Sequence, residues 1–222
     1  MEIPQSRLII FGNPKAGTQL MQKNQAVALD LPMKMLVYDD NGTTKIIYNN
    51  GSVLMNRYEI IMPELEEKMN GLLDKISPLS VEGTDLQDLK LESILADVQT
   101  KESSLSVDDA SKKLEKLLAE KEFKLISKVE HDKAAQKASL ELRPTRLFIF
   151  GKPQVGSQLM KMNSTVGLDL PMKMLLWEDE NGKTQISYFN GSFLANRHAI
   201  QNEELTTKID GALNMLSDAI VK

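Results

Sequence analysis

The chain contains one block of sequence twice. Residues 7–40 and residues 146–179 are identical at 21 of 34 aligned positions, at a constant offset of 139. Residues 29–36 recur letter for letter as residues 168–175. Because solenoid repeats have periods of roughly 20 to 50 residues, a repeat this long and this far apart indicates a duplicated domain. The duplication predicts how the chain is built and leaves its activity open.

The two copies differ in length ahead of the shared block. Residues 91–145 precede the block in the second copy, whereas only residues 1–6 precede it in the first. We therefore predict a first copy over residues 1–78 that holds only the C-terminal half of the domain, a linker over residues 79–90, and a complete second copy over residues 91–222. A domain that starts in mid-pattern exposes the apolar surface that its missing elements cover, so we expect the chain to begin inside a longer gene product.

The composition of the 222 residues is typical of a soluble globular protein and argues against several classes of protein and of functional site. A net charge of −4 without a basic stripe argues against a nucleic-acid partner, and no stretch is apolar enough for a membrane span. The absence of cysteine excludes disulfides and thiolate chemistry, and the two histidines lack carboxylates at ligand spacing. We expect no metal and no cofactor. The location is unknown: cytoplasmic as the chain stands, periplasmic or secreted if an N-terminal signal has been lost.

Hydrophobic periodicity predicts strands and helices in a fixed order in the second copy. Strands are predicted at residues 94–101, 123–129 and 147–150, with a hairpin of residues 172–177 and 184–188 across a type I′ turn at Asn181-Gly182. Helices are predicted after Ser106 and after Asn202, which are typical capping residues. The first copy repeats the second half of this list: a strand at residues 8–11, a hairpin around Asn41-Gly42 and a helix from Pro63.

These elements predict the fold class. Strands joined by tight turns, with helices before and after them, indicate an α+β protein with two tandem copies of an antiparallel sheet covered by helices on one face, the first copy being incomplete. Duplication commonly converts a homodimer contact into a contact within one chain. We therefore expect the copies to dock as an internal pseudo-dimer, and the sequence leaves open whether whole chains also form a homo-oligomer.

Several motifs of the second copy occur together in one known family. They are residues 126–135, residues 140–153, residues 168–171, Tyr188 and residues 194–198, and as a set they resemble domain-of-unknown-function family 302. The resemblance covers essentially all of the second copy and the latter half of the first. It implies α+β domains that tend to pair, with an antiparallel sheet similar in outline to the TATA-binding-protein-like fold, and almost nothing about activity. The first copy departs from the pattern, because it lacks counterparts of His131 and Arg143 and has Tyr58 opposite His198.

The first candidate site is a glycine-rich loop. Gly151 and Gly156, followed by Ser157, have the glycine spacing of a P-loop but lack its lysine, so nucleotide hydrolysis is not favoured. The loop is then either an anion cradle of backbone N–H groups at a helix start or a tight strand-to-helix turn that needs glycine for its backbone angles.

Two further groups contain charged side chains. Asp169 has Lys173 close by in sequence, and the pair is either an acid–base couple or, for the aspartate, an Asx turn before a proline. His131, Arg143 and Thr145 stand at motif positions of the resembled family. They are interpreted either as holders of a carboxylate or phosphate or as structural hydrogen-bonding groups at a strand end.

The sequence favours a non-catalytic binding or interaction module for a small anionic or apolar ligand or for a protein partner. The alternative is an enzyme of unknown reaction, with His131 as acid or base, Arg143 as anion clamp and the Gly151–Gly156 loop as oxyanion donor. A third hypothesis is structural: the first copy is a degenerate partner that stabilises the second.

Overall fold

The computed structural model describes residues 5–76 and 98–222, and two sets of elements follow the two halves of the repeat. The first set, copy 1, consists of β1 (Ser6–Phe11), α1 (Pro14–Lys23), a first 3₁₀ helix (Gln25–Asp30), β2 (Met33–Asp40), β3 (Thr43–Tyr48), α2 (Gly51–Arg57) and α3 (Pro63–Ile76). The second set, copy 2, consists of β4 (Val98–Ser103), α4 (Val107–Glu120), β5 (Lys124–Glu130), α5 (His131–Lys137), β6 (Thr145–Gly151), α6 (Pro153–Met162), a second 3₁₀ helix (Ser164–Leu168), β7 (Met172–Glu178), β8 (Thr184–Phe189), α7 (Gly191–Arg197) and α8 (Glu203–Ala219).

Each copy contributes one antiparallel sheet. Copy 1 has three strands in the order β1-β2-β3, and copy 2 has five in the order β4-β8-β7-β6-β5. Strands β6, β7 and β8 are the counterparts of β1, β2 and β3, so within residues 5–76 copy 1 has no equivalent of the outer strands β4 and β5. The predicted α+β class, with tandem antiparallel sheets and an incomplete first copy, is confirmed.

The helix starts agree with the capping residues seen in the sequence. The Ser106 hydroxyl accepts a hydrogen bond from the backbone N–H of Asp109, and the Asn202 side chain accepts one from the N–H of Leu205. Each side chain satisfies a backbone donor that the first helical turn leaves without an intrahelical partner. Of the strand predicted at residues 94–101, residues 94–97 lie outside the described residues and the rest belongs to β4. The predicted linker also lies outside them, so the domain boundaries stay a prediction.

The two β-hairpins differ in their turns. In copy 1, where a hairpin was predicted around Asn41-Gly42, both residues have positive φ, 53° and 85°, as in a type I′ turn. In copy 2 only Gly182 does, with a φ of 74°, and the type I′ prediction is wrong there. Five residues separate β7 from β8, against two between β2 and β3, and the Asp179 carboxylate accepts hydrogen bonds from the backbone N–H groups of Asn181 and Lys183. The longer loop therefore closes on an aspartate side chain instead of on two left-handed residues.

The five-stranded sheet is covered on both faces. One face packs against α4 and α8 around Phe148, Phe150 and Tyr188. The other face, with Leu147 and Leu175, packs against α1, α2 and the first 3₁₀ helix of copy 1. The prediction that helices of the same copy cover one face agrees with this arrangement, and the opposite face is buried by the other copy.

The packing between the copies is reciprocal. The first 3₁₀ helix buries Val27, Ala28 and Leu29 in the same apolar cluster as the strands of copy 2. The second 3₁₀ helix places Leu168 against Leu36 of the copy-1 sheet. Each sheet is thus covered by the short helix of the other copy, and the two contacts form separate hydrophobic clusters.

Copy 1 leaves uncovered a position that copy 2 buries. Ile9 is 48% exposed, whereas its counterpart Phe148 is 0% exposed beneath α4. Within the described residues, this side of β1 lacks the helix and the outer strand that complete the larger sheet.

A close approach between α7 and α8 explains the glycine at the start of α7. A Cβ atom on Gly191 would lie 2.7 Å from the carbonyl oxygen of Thr206 and 3.2 Å from Cβ of Ile209. We therefore expect Gly191→Ala to force the helices apart and to lower the free energy of unfolding by about 1–3 kcal/mol, the usual effect of overpacking.

Gly211 provides the matched control. It lies within α8, and a Cβ atom on this residue would have no neighbouring atom within 4 Å, so Gly211→Ala should raise stability by up to about 1 kcal/mol through helix propensity. Urea unfolding of both variants measures the difference. Equal effects at the two positions would contradict the packing explanation.

Candidate functional site: paired apolar pockets and an interface charge cluster

Copy 2 contains a pocket of about 540 Å³ beside its glycine-rich loop. The pocket lies between the start of α6, the loop before β7, the ends of β5 and β6, and α8. Its wall is mostly apolar and includes Phe123, Phe150, Val155, Leu170, Ile209 and Leu213. Three residues of copy 1, Ser6, Leu8 and Leu36, close one side. We name this space the copy-2 pocket.

The glycine-rich loop forms an apolar wall of that pocket. Pro153 has no N–H, and the N–H groups of Val155 and Gly156 both donate to the carbonyl of Lys152. These internal bonds occupy the donors that an anion cradle would use. Neither Gly151 nor Gly156 has a positive φ, and a Cβ atom on either would make only ordinary contacts at 3.7–3.8 Å. Backbone angles therefore do not explain these glycines.

Copy 1 contains a pocket of about 470 Å³ at the equivalent place. Its wall includes Phe11, Gly17, Leu31 and Met33, the counterparts of Phe150, Gly156, Leu170 and Met172 in the copy-2 pocket. The remaining side is closed by residues that copy 2 contributes: Val129, His131 and Ala134. We name this space the copy-1 pocket. The same elements thus enclose a pocket in both copies, and each pocket is completed by the other copy.

His131 is the titratable residue in the wall of the copy-1 pocket. The residue is 6% exposed, and burial lowers its pKa from 6.5 to about 4, although the Asp132 carboxylate and a hydrogen bond to the backbone of Leu31 act in the opposite direction. Its Nε2 atom has no hydrogen-bond partner among residues 5–76 and 98–222. The ring is therefore neutral at pH 7 and does not provide the positive charge that holding a carboxylate or phosphate requires.

The lowered pKa predicts how stability depends on pH. Between pH 6.5 and about 4 the unfolded chain binds a proton at this histidine and the folded chain does not. Stability should therefore fall as pH decreases through this window, by about 3 kcal/mol from this one group. A His131→Phe variant has no titrating group at this position, so its free energy of unfolding should lack this pH-dependent contribution.

The measurement is the free energy of unfolding of the wild type and the variant from about pH 7.5 to about pH 4. We expect the wild type to lose roughly 3 kcal/mol more than the variant. Parallel curves for the two proteins would show that His131 titrates normally and is not buried as described.

A cluster of buried charges lies between the copies. We define the interface cluster as the residues Asp30, Lys34, Arg57, Tyr58, Asp169, Lys173, Arg197 and His198. Asp30 accepts hydrogen bonds from Arg57 Nη1 at 2.6 Å and from the Tyr58 hydroxyl at 2.9 Å. Lys173 Nζ of copy 2 lies 3.5 Å from the other oxygen of Asp30. The two copies are therefore joined by an ion pair that is shielded from solvent.

The same arrangement is repeated around Asp169. Its Oδ2 atom lies 2.8 Å from His198 Nε2 and 2.9 Å from Arg197 Nε, which occupy the positions of Tyr58 and Arg57. Across the interface, Lys34 Nζ donates to the carbonyl oxygen of Leu168 at 2.5 Å. Arg197 also donates to the side chain of Asn49 in copy 1. The repeat thus places one aspartate, one arginine and one lysine from each copy at the contact.

The charges in the interface cluster change one another's pKa values. Burial alone would raise the pKa of both aspartates. The positive charges of Arg57 and Lys173 instead hold the pKa of Asp30 below its ordinary value. Arg197 and His198 hold the pKa of Asp169 well below its ordinary value. Burial and the neighbouring Lys173 lower the pKa of Lys34 to about 7. Burial and Asp30 raise the pKa of Tyr58. The carboxylates are therefore ionised and act as fixed partners for the cations.

Removing one carboxylate tests the contribution of the cluster. Asp30→Asn leaves the buried Arg57 and Lys173 without the negative charge between them. We expect a loss of about 3–5 kcal/mol in the free energy of unfolding, the usual effect of breaking a buried pair on one side.

The control is Asp218→Asn, because the Lys101–Asp218 pair has a similar distance, 2.7 Å, with an Asp218 side chain that is 67% exposed. That substitution should change stability by less than about 1 kcal/mol. Urea denaturation compares the two variants. A small effect at both positions would mean that the interface does not depend on these charges.

Arg143 and Thr145 lie at another part of the interface. The Gln25 amide of copy 1 donates to the Thr145 hydroxyl at 2.7 Å, and Arg143 donates to Gln25 Oε1 at 3.0 Å and to the carbonyl of Glu178 at 2.9 Å. These bonds support the structural interpretation of both residues, because the groups that would hold a ligand instead join the two copies.

The residues predicted as site candidates therefore lie in different places. Gly151 and Gly156 line the copy-2 pocket, His131 lines the copy-1 pocket, Asp169 and Lys173 belong to the interface cluster, and Arg143 and Thr145 bond to Gln25. The structure does not bring His131, Arg143 and the glycine-rich loop together. The roles of Arg57 and Arg197 were missed, although the repeat contains a signal: both copies carry aspartate, lysine and arginine at matching positions.

The described residues hold no group of three or more histidine, aspartate or glutamate side chains placed to bind a metal ion. Among the same residues, no helix is both long and apolar enough to cross a bilayer.

Comparison with known protein families shows to which family this chain belongs. The profile of the family described as "Domain of unknown function DUF302" matches residues 1–76 and 99–220, which is most of the chain and both copies. The protein therefore belongs to the DUF302 family, as its motifs indicated. The description names no activity, and none follows from membership.

Two similar proteins and one similar solved structure show what the chain resembles. The Brucella suis biovar 1 (strain 1330) protein named fluoride-specific ion channel FluC 1 is 43% identical over 76 residues, which cover 34% of this chain and 30% of that protein. The Brucella abortus biovar 1 (strain 9-941) protein of the same name is also 43% identical over 76 residues, covering 28% of its length. The match thus spans less than a third of either relative. A crystal structure of an uncharacterized DUF302 protein from Bacillus stearothermophilus has a TM-score of 0.50 and 22% identity, over 55% of this chain and 97% of that one, and shares the fold.

Proposed function

We propose that this protein is a non-catalytic module that binds a small, mainly apolar ligand in its pockets. The observation that carries the proposal is the recurrence of one apolar pocket at the same place in both copies, with volumes of about 540 and 470 Å³. Pockets for small molecules usually have volumes of roughly 300–1,000 Å³ and mainly apolar walls with few polar groups. Of the two ligand classes that the sequence allows, the walls favour the apolar one.

The enzyme alternative finds less support. A catalytic site needs its acid or base, its anion clamp and its oxyanion donors around one reacting atom. Here His131 lines one pocket, the glycine-rich loop lines the other, and Arg143 is bonded to Gln25 and Glu178. A non-catalytic role requires only that the pockets accept a ligand.

The named activity of the Brucella relatives does not point to the same ligand. Fluoride is a small anion, and an anion site is usually built from cationic or N–H groups that face it. The copy-2 pocket is lined mainly by apolar side chains, and its cationic lining residues are Lys124, Lys152 and Lys208. The N–H groups of Val155 and Gly156 are bonded to the carbonyl of Lys152. Apolar walls of this extent suit a ligand with a large apolar part better than a bare fluoride ion. Self-association of whole chains, which the sequence leaves open, stays a prediction.

Filling the copy-2 pocket tests the proposal. Ala212 lines this pocket from α8, and the copy-1 pocket has Leu72 at the equivalent position. Ala212→Trp should occupy part of the space, so that titration with the apolar fluorophore N-phenyl-1-naphthylamine finds one site instead of two, or an affinity at least about tenfold lower at the filled site.

Ala219→Trp is the control, since Ala219 lies on the same helix, is also half-buried and is outside the pocket wall. It should leave the titration unchanged. Circular dichroism and urea unfolding establish that both variants are folded. Equal binding by Ala212→Trp and the wild type, or no binding by either, would contradict the proposed function.

A further inference from the structure

We propose that the copy-2 pocket is a site for an amphipathic anion, an apolar molecule that carries one negatively charged group, which is held by Lys124 and Lys152. This inference rests on the proposed function and adds to it the charge of one ligand. It is carried by the composition of the pocket wall. Among the described residues, that wall contains three lysines, Lys124, Lys152 and Lys208, and no aspartate or glutamate.

The charge of this wall is opposite to that of the whole chain, whose net charge is −4. Lys208 is paired with Glu204 at 2.6 Å, so its charge is already balanced by a residue outside the wall. Lys124 and Lys152 form no ion pair with a carboxylate in residues 5–76 and 98–222. These two ammonium groups are therefore available to an anionic group of a ligand.

The sheet brings the two lysines to the same end of the pocket. Lys124 is paired in register with Gly151, the last residue of β6, and Lys152 follows Gly151 directly. The Nζ atom of Lys152 lies 4.7 Å from the ring centre of Phe123, which is itself part of the wall. The Phe123 ring packs edge-to-face against Phe150, with 5.8 Å between the ring centres. The ammonium group of Lys152 thus lies beside the aromatic part of the wall.

The two kinds of wall residue together select the ligand. A lysine ammonium group is a point charge that pairs with a carboxylate, a sulfonate or a phosphate group. A small inorganic anion would leave apolar residues such as Val155, Leu170 and Ile209 in contact with water, and a neutral apolar molecule would gain nothing from the lysines. An apolar body with one anionic group satisfies both parts of the wall.

The copy-1 pocket provides an internal comparison. Its wall has the corresponding apolar residues, but within the described ranges it contains no lysine, arginine, aspartate or glutamate. Asn13 stands at the position of Lys152, and Lys68, the counterpart of Lys208, is not part of the wall. Residues 5–76 contain no counterpart of β5, which carries Lys124. The two pockets are therefore alike in their apolar surface and differ in charge, so that copy 2 should be the one that favours an anion.

The experiment uses two fluorescent probes that differ in one charged group: the neutral N-phenyl-1-naphthylamine and its 8-sulfonate, 1-anilinonaphthalene-8-sulfonate. We expect the wild type to bind the sulfonate at one site and the neutral probe at two. Ala212→Trp, which fills the copy-2 pocket, should remove the sulfonate site and keep one site for the neutral probe. Added sodium chloride should weaken binding of the sulfonate alone, because salt screens the attraction between charges.

Lys152→Asn gives the copy-2 pocket the residue that copy 1 carries at this position. The Asn13 side chain caps α1 by accepting a hydrogen bond from the N–H of Lys15, whereas Lys152 makes no such bond at the start of α6, so the substitution should not weaken the helix. We expect the affinity for the sulfonate to fall about fivefold, the ratio that a partly exposed ion pair corresponds to, and the affinity for the neutral probe to stay the same. Lys124→Gln should have a similar effect.

Lys161→Gln is the matched control. Lys161 lies on the same helix, α6, is exposed and is outside the pocket wall, and copy 1 has Gln22 at the equivalent position. The control therefore removes the same charge and also introduces the copy-1 residue. It should leave the affinities for both probes unchanged.

The outcomes separate the two proposals. The anion site would be overturned by equal sulfonate affinities of Lys152→Asn and Lys161→Gln, by sulfonate binding that does not depend on salt, or by sulfonate binding that persists in Ala212→Trp. Binding of the neutral probe at two sites in the wild type would in each case leave the proposed function standing. Failure of both probes to bind the wild type would count against both proposals.

Discussion

The architecture depends on the contact in which each copy places its 3₁₀ helix on the sheet of the other. Val27, Ala28 and Leu29 cover the copy-2 sheet, and Leu168 covers that of copy 1. At the end of the first helix Asp30 meets Lys173 of the opposite sheet, and just beyond the second lies Asp169. Apolar burial makes the contact favourable, whereas the charges fix its register, because a shifted contact would leave buried ions unpaired.

The balance of charge in the interface cluster also has physical consequences. Two carboxylates face two arginines and two lysines, so fully charged side chains would bury an excess of positive charge. The lowered pKa of Lys34, about 7, reduces that excess, because this lysine can lose its proton near neutrality. Phe189 and Phe193 accommodate part of the remaining charge, with the Arg57 guanidinium 5.4 Å from each ring centre.

The sequence predicted the elements well and the site poorly, for a physical reason. Capping residues, the Asn41-Gly42 turn and the repeat act over short distances or recur in register, so the strands, helices and incomplete copy followed from them. The site depends on contacts between residues far apart in the chain, such as Gln25 with Thr145 or Leu31 with His131. No spacing rule places such pairs together. Hence His131 and Arg143, which are close in sequence, lie at different sites.

Duplication within one chain gives the pockets a property that a symmetric dimer lacks. In a homodimer of identical subunits, a pocket completed by the partner would have the same wall twice. Here the two partners differ, since copy 1 receives Val129, His131 and Ala134 from copy 2 and supplies Ser6, Leu8 and Leu36 in return. One pocket thereby contains a buried histidine that the described wall of the other lacks. The first copy thus supplies one pocket and completes the other.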